Sequence, residues 1–249
     1  MGRTDEALAR AEQASITRKV EQKNTIQNSK KSGFAGLARQ DTNAFADIGA
    51  RLRTLCEEQK SEEKKPFSFV IAPLAGSDDL FPLVMELAAT IDLYSELSIL
   101  VVDANITTPS LGSLQGGRQY KGLTDILNGE EVSPLISKER SKLYFLPCGT
   151  SKKEDTTIFQ SVQFSDTLQL LQQNFDMLIL LAPPVIGHIE TQLISLKTNG
   201  LVMVIDAGKT RQPVAQRAMD ELQSRRVNVL GTILNGREYY IPQFFYKWI

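Results

Sequence analysis

The sequence holds two cysteines, Cys56 and Cys148, and one histidine, His188, in 249 residues. A Cys/His zinc site would be short of ligands, and two thiols so far apart in the chain read as the reduced cysteines of a cytosolic protein. A lone histidine suggests no Ser-His-Asp or Cys-His pairing. Charge of one sign is also missing. The 28 Lys and Arg against 29 Asp and Glu leave a net −1, and basic and aromatic residues do not interleave, so nothing points to nucleic acid. No run approaches the ~20 apolar residues that span a bilayer. Met1-Gly2-Arg3-Thr4-Asp5-Glu6 enters charged residues without the apolar core of a signal peptide, and Gly2 alone is weak evidence for a lipid anchor. The expectation is a cytoplasmic chain that must be recruited if it works at a membrane.

What is present is globular: 42% hydrophobic and 23% charged. Two regions are expected, 1–65 and 66–249. In the first, a helix follows the N-cap candidate Thr4, with Ala7, Leu8, Ala11 and Ala14 along one side. The run Gln22 to Lys31 offers little to bury and reads as a linker. A second helix is predicted over 42–56, with Phe45, Ile48, Leu52 and Leu55 on one face.

From Phe67 onward, short apolar runs alternate with helical stretches. The runs cover 67–72, 97–102, 143–146, 177–181, 201–205 and 229–234 and lack clean alternation, as expected of strands buried on both faces of a parallel sheet. Helices are predicted over 80–93, 158–174, 189–196 and 213–224. This order implies a doubly wound, mostly parallel α/β sheet, in which ligands sit where strands turn into helices at their carboxyl ends.

The first such turn reads Val70-Ile71-Ala72-Pro73-Leu74-Ala75-Gly76-Ser77-Asp78-Asp79-Leu80. A working phosphate loop needs glycines for close backbone approach, a lysine for the terminal phosphates and a Ser or Thr hydroxyl for Mg²⁺. The place and length are right, but the chemistry differs. Later turns read Asp103-Ala104-Asn105-Ile106-Thr107-Thr108-Pro109-Ser110-Leu111, then Gly122-Leu123-Thr124-Asp125-Ile126-Leu127-Asn128-Gly129, Leu146-Pro147-Cys148-Gly149 and Phe175-Asp176-Met177-Leu178-Ile179-Leu180-Leu181-Ala182-Pro183-Pro184.

On these motifs the chain resembles the bacterial tyrosine kinases of capsule and exopolysaccharide synthesis, which carry a P-loop fold of the type shared with the partitioning ATPases. The likeness runs over nearly the whole chain and is thinnest between Gln22 and Gln40. Pro73 and Gly76 match the family's loop. Its second glycine stands here as Asp78, its lysine as Asp79 and its Mg²⁺ hydroxyl as Leu80. In the later motif its metal-side Asp stands as Leu181. Asp103 matches an acid that the family uses for metal and catalysis; read alone, it is equally a carboxylate capping a strand end. Asn235 matches a position that contacts adenine in related ATPases, and is also an ordinary turn asparagine before Gly236. Pro73, Gly76, Asp78, Asp79, Asp103, Pro184 and Asn235 are thus the expected remnant of a nucleotide pocket. Lys209 and Arg211 could face an anion or solvent, and His188 reads as structural.

A carboxylate at ~4 Å from a phosphate charge costs about 4 kcal/mol at an effective dielectric of ~20, where lysine would contribute as much with the opposite sign. No ATP or Mg²⁺ is therefore expected to bind, and the resemblance implies a regulator or scaffold without catalysis. The alternative is a divergent ATPase or tyrosine kinase. A positioning protein like the partitioning ATPases is a third reading, and the missing lysine weighs against it equally. The resemblance also implies a partner, a membrane chain-length determinant of polysaccharide export, with an active relative or a second copy besides. The family's Glu-x-x-Arg-x-x-Arg association pattern falls on Asp47, Ala50 and Arg53, with one arginine lost. Relatives end in a tyrosine cluster that is phosphorylated. Here Tyr239, Tyr240 and Tyr246 are the possible phosphoacceptors, but they stand among large apolar residues, so the tail is expected to act as an apolar anchor, either packed as core or docked on the inner-membrane surface or a transmembrane partner.

Overall fold

The computed structural model describes residues 42–63, 66–76, 79–109, 120–136, 141–150 and 156–236. The expected N-terminal helix and linker, Asp78, Ser110, Leu111 and the tail tyrosines Tyr239, Tyr240 and Tyr246 lie outside them.

Strand β1 (Phe67–Pro73) is buried at every position, as are β2 (Ile99–Asp103) and β5 (Met177–Leu181). That total burial is why these runs lack alternation. β4 (Leu143–Leu146) and β6 (Leu201–Asp206) flank them, and β7 (Val229–Asn235) ends the sheet. A two-residue strand, β3 (Leu135–Ile136), runs antiparallel to β4 at the other edge. Among the described residues the order is β3-β4-β2-β5-β1-β6-β7, and every pairing except β3 with β4 is parallel. β1 therefore lies inside the sheet, between β5 and β6. The chain leaves it towards β2 on one side and later returns to β6 on the other, which puts the β1 turn where ligand crevices form in open α/β sheets.

Helices cover both faces. On one side lie α1 (Thr42–Glu63) and α2 (Phe81–Leu93), with Leu52, Cys56, Val84, Leu87 and Ile91 packed on Phe69, Ile71, Val101 and Ile179. On the other lie α3 (Leu123–Leu127), α4 (Val162–Asn174), α5 (Ile189–Ser195) and α6 (Gln212–Ser224). There Phe164, Leu168, Ile194, Ala218 and Leu222 meet Val70, Leu100, Leu178, Leu180 and Met203.

Differences from the sequence reading have local causes. α1 continues past residue 56 to Glu63. The helix expected over 158–174 is broken. A 3-10 turn over Thr156–Gln160 ends at Ser161, whose hydroxyl accepts the Phe164 N–H at 3.1 Å and starts α4 afresh. α3 and β3 were not anticipated, being too short to carry a period.

Candidate functional site

The carboxyl ends of β1, β2, β5 and β6 are stitched together by backbone hydrogen bonds. Ala104 N–H donates to Leu181 O, Ala182 N–H to Ile71 O, Val185 N–H to Pro73 O and Leu74 N–H to Val204 O, at 2.7–3.0 Å. These bonds bring Pro73, Asp103, Leu181 and Pro184 to one rim of the sheet. Gly76 sits in the β1 turn with φ of +87° and nothing crowding its Cα, the left-handed conformation that a phosphate loop uses and glycine adopts freely.

At this turn the Asp79 carboxylate accepts the N–H of Phe81, the first residue of α2, at 3.0 Å. A helix N-terminus attracts anions through its unpaired N–H groups and its dipole, and it is where P-loop proteins seat phosphate. In this chain a side-chain carboxylate already takes one of those donors. The next residue, Leu80, is 4% exposed and joins the apolar core on the α1–α2 side, and Leu181 joins the same core at 1%. Neither leucine offers an oxygen to a metal.

Asp103 ends β2 opposite Leu181 in register and is buried. Its Oδ1 accepts the Asn105 N–H at 3.1 Å, while Asn105 exchanges hydrogen bonds with Thr108 through both side-chain ends. The acid and asparagine thus shape their own turn. Asn235 donates from Nδ2 to Asp206 Oδ1 at 2.9 Å, and its carbonyl accepts the Ala207 N–H. His188 precedes α5 with Nδ1 3.9 Å from Glu190 Oε2. Lys209 and Arg211 are exposed before α6. Away from this rim, Asp47 and Arg53 lie on α1. Asp47 is exposed, and Arg53 donates to the Tyr94 carbonyl at 2.6 Å, just past the end of α2.

A second cluster, quoted in the sequence without a role, lies at the carboxyl end of β4, next to Asp103 along the same rim. The buried Asp125 accepts from Gly122 N–H, Thr150 N–H and Thr150 Oγ1 at 2.6–2.9 Å. Burial pushes its pKa up, but the Thr150 hydroxyl, the Gly122 and Thr150 N–H groups and nearby Lys121 outweigh it and hold the carboxyl below its ordinary value. Leu123 and Thr124 N–H groups donate to Pro147 and Cys148 carbonyls at 2.8 Å. A Cβ on Gly122 would overlap the Pro147 carbonyl, and one on Gly149 would overlap Thr124 Oγ1. The two glycine motifs are therefore halves of one clasp. Burial, with Asp103 and Asp125 nearby, drives the Cys148 thiol far above its usual range, so it is no nucleophile at neutral pH. The only signal for this clasp was the paired motifs; spacing does not reveal which turns meet. Among the described residues no His/Cys/Asp/Glu group could hold a metal ion, and no helix is long and apolar enough to cross a membrane.

No protein-family model matches the chain. Its fold is that of the P-loop NTPases: it superposes on the kinase domain of Escherichia coli tyrosine kinase ETK with a TM-score of 0.70, at 17% identity over 90% of each chain. It also superposes on the Aquifex aeolicus MinC:MinD cell division protein complex with a TM-score of 0.56, at 17% identity over 69% of each chain. In sequence the chain is 24% identical over 139 residues to tyrosine-protein kinase CpsD of Streptococcus agalactiae, a match covering 55% of this chain and 61% of that protein. The chain thus resembles the bacterial tyrosine kinases of the CpsD type in both sequence and fold. It spans about three fifths of the length of the curated relative it matches.

Proposed function

We propose that the chain is a non-catalytic relative of these kinases, a regulator or scaffold in bacterial exopolysaccharide or capsule synthesis and export. The observation that supports this reading lies at the start of α2, where the Asp79 carboxylate accepts the Phe81 N–H at the kind of helix end that seats phosphate in P-loop proteins. Leu80 and Leu181 support it from beside the turn, because they fill with hydrocarbon the positions from which the family would reach Mg²⁺. Restoring a metal oxygen at either place means burying a polar group in an apolar core. The residues present do not fit Mg²⁺-ATP in the manner of the family.

The partner this reading implies is the membrane chain-length determinant that the family serves, with recruitment to the inner face of the membrane through it. Asp47 and Arg53 are the residues proposed for association with an active relative or a second copy. Arg53 is engaged within its own fold at Tyr94, which favours a weak contact.

The competing reading is a divergent kinase. One observation favours it: Asp103 is retained, buried at the rim beside Leu181. Incubation with Mg²⁺ and labelled ATP separates the two. The scaffold reading expects no label on Tyr239, Tyr240 or Tyr246, and incorporation that is lost in Asp103→Asn would establish the kinase.

A further inference from the structure

Asparagine precedes glycine at three places: Asn128-Gly129, Asn199-Gly200 and Asn235-Gly236. All three glycines have positive φ, at +87°, +154° and +66°. Such a pair is chemically labile, because glycine has no side chain to shield its backbone nitrogen from the asparagine amide. The fold restrains the three pairs in different ways.

Asn199 is locked. Its Oδ1 accepts the Ser68 N–H at 2.8 Å, its own N–H donates to Ser68 O at 2.7 Å, and its carbonyl accepts Asn228 Nδ2 at 2.7 Å. A Cβ on Gly200 would overlap the Asn228 carbonyl, so that turn is tightly packed as well. Asn235 is pinned at the end of β7, where its Nδ2 donates to Asp206 and its carbonyl accepts the Ala207 N–H. Asn128 is exposed, and its side chain makes no hydrogen bond among the described residues. It caps the C-terminus of α3. There Gly129 N–H donates to Ile126 O at 2.8 Å and Glu130 N–H to Asp125 O at 3.0 Å, the two bonds of a Schellman motif. The Gly129 bond is the brake, because that nitrogen must leave it before it can react. α3 has only five residues, and so short a helix opens locally at far less cost than the whole fold.

We propose that Asn128 is a site of spontaneous deamidation whose rate is set by opening of the clasp around Asp125. The Gly129 nitrogen gives its proton to hydroxide and attacks Asn128 Cγ. A C–N bond forms, the Cγ–Nδ2 bond breaks, and Nδ2 takes up a proton and leaves as ammonia. Water then opens the five-membered succinimide. Cleavage of the new Cγ–N bond leaves aspartate. Cleavage between the backbone carbonyl carbon and that nitrogen leaves isoaspartate, with the chain running through Cγ. Either product sets a negative charge at the carbonyl end of α3, where the helix dipole opposes it. Isoaspartate also lengthens the main chain between Asp125 and Glu130, so the cap no longer closes. The modification thus weakens the clasp that restrains it.

Trypsin releases the three pairs in separate peptides, and the one spanning 122–138 contains no other side-chain amide. The 249-residue chain is held in mildly alkaline buffer, and its peptides are followed by mass spectrometry that resolves aspartate from isoaspartate. Asn128 should react several-fold faster than Asn199 or Asn235, and several-fold slower than it does in the urea-unfolded chain. Isoaspartate should be the major product. Gly149→Ala, which loosens the clasp without touching α3, should speed the reaction several-fold. Asp125→Asn should do the same if the first variant folds poorly. Asn128→Gln should leave the peptide unchanged. Equal rates at the three pairs would overturn the proposal, as would an intact Asn128 in protein already deamidated at Asn199 or Asn235. A rate at Asn128 unaltered by both Gly149→Ala and Asp125→Asn would separate the reaction from the clasp and also overturn it.

Discussion

Asp79 and Phe81 are joined by a hydrogen bond in which the backbone N–H at the start of α2 donates to the Asp79 carboxylate at 3.0 Å. Asp79 puts its negative charge on the helix terminus and satisfies one of its N–H donors. Asp79→Ala should therefore lower stability by about 0.5–1.5 kcal/mol, read as a shift of the urea midpoint at unchanged slope. Asp79→Lys should not create ATPase activity, because Leu80 and Leu181 still supply no metal oxygen.

The clasp around Asp125 predicts a pH dependence. A carboxyl held below its ordinary pKa in the folded state binds protons more readily when unfolded. Its contribution is fully present above the unfolded value of about 4 and is lost as pH falls through the lower folded value. Asp125→Asn should be destabilised at pH 7 by about 2–3 kcal/mol, since three donors lose a charged acceptor. The gap between the two proteins should narrow as denaturation is repeated from pH 5 down to acid.

Gly122→Ala and Gly149→Ala attack the same clasp through sterics. Gly149 has φ of +111°, so alanine there meets backbone strain as well as Thr124. Each should cost more than about 2 kcal/mol by chemical denaturation. Gly76→Ala, with open space around it, should cost only its φ strain of about 1 kcal/mol.

Much of the fold was legible because β1, β2, β4, β5 and β6 are dense apolar runs whose burial needs no period to detect, and the strand–helix order fixes the architecture. Helix ends were less legible where a polar residue intervenes, as Ser161 does between the 3-10 turn and α4. At the site, the types at 79, 80 and 181 could be read directly, but not what they do in place. That Asp79 caps α2, and that both leucines belong to the core, depends on packing between segments far apart in sequence. The meeting of Gly122 with Pro147 and Gly149 is invisible to spacing for the same reason.

Arg53 offers a test of association. Its bond to the Tyr94 carbonyl ties α1 to the end of α2, so Arg53→Ala should lose about 1 kcal/mol of stability. Sedimentation velocity of the unmodified protein should reveal weak, concentration-dependent association that Arg53→Ala reduces. A stable homo-octamer, or a profile untouched by the substitution, is the opposite outcome.

If Asp79 fills the phosphate site from within, isothermal calorimetry of the 249-residue chain with ATP, with and without Mg²⁺, shows no Mg²⁺-dependent heat of binding at physiological nucleotide concentrations. Saturable Mg²⁺-ATP binding at micromolar strength, abolished by Asp103→Asn, would contradict it.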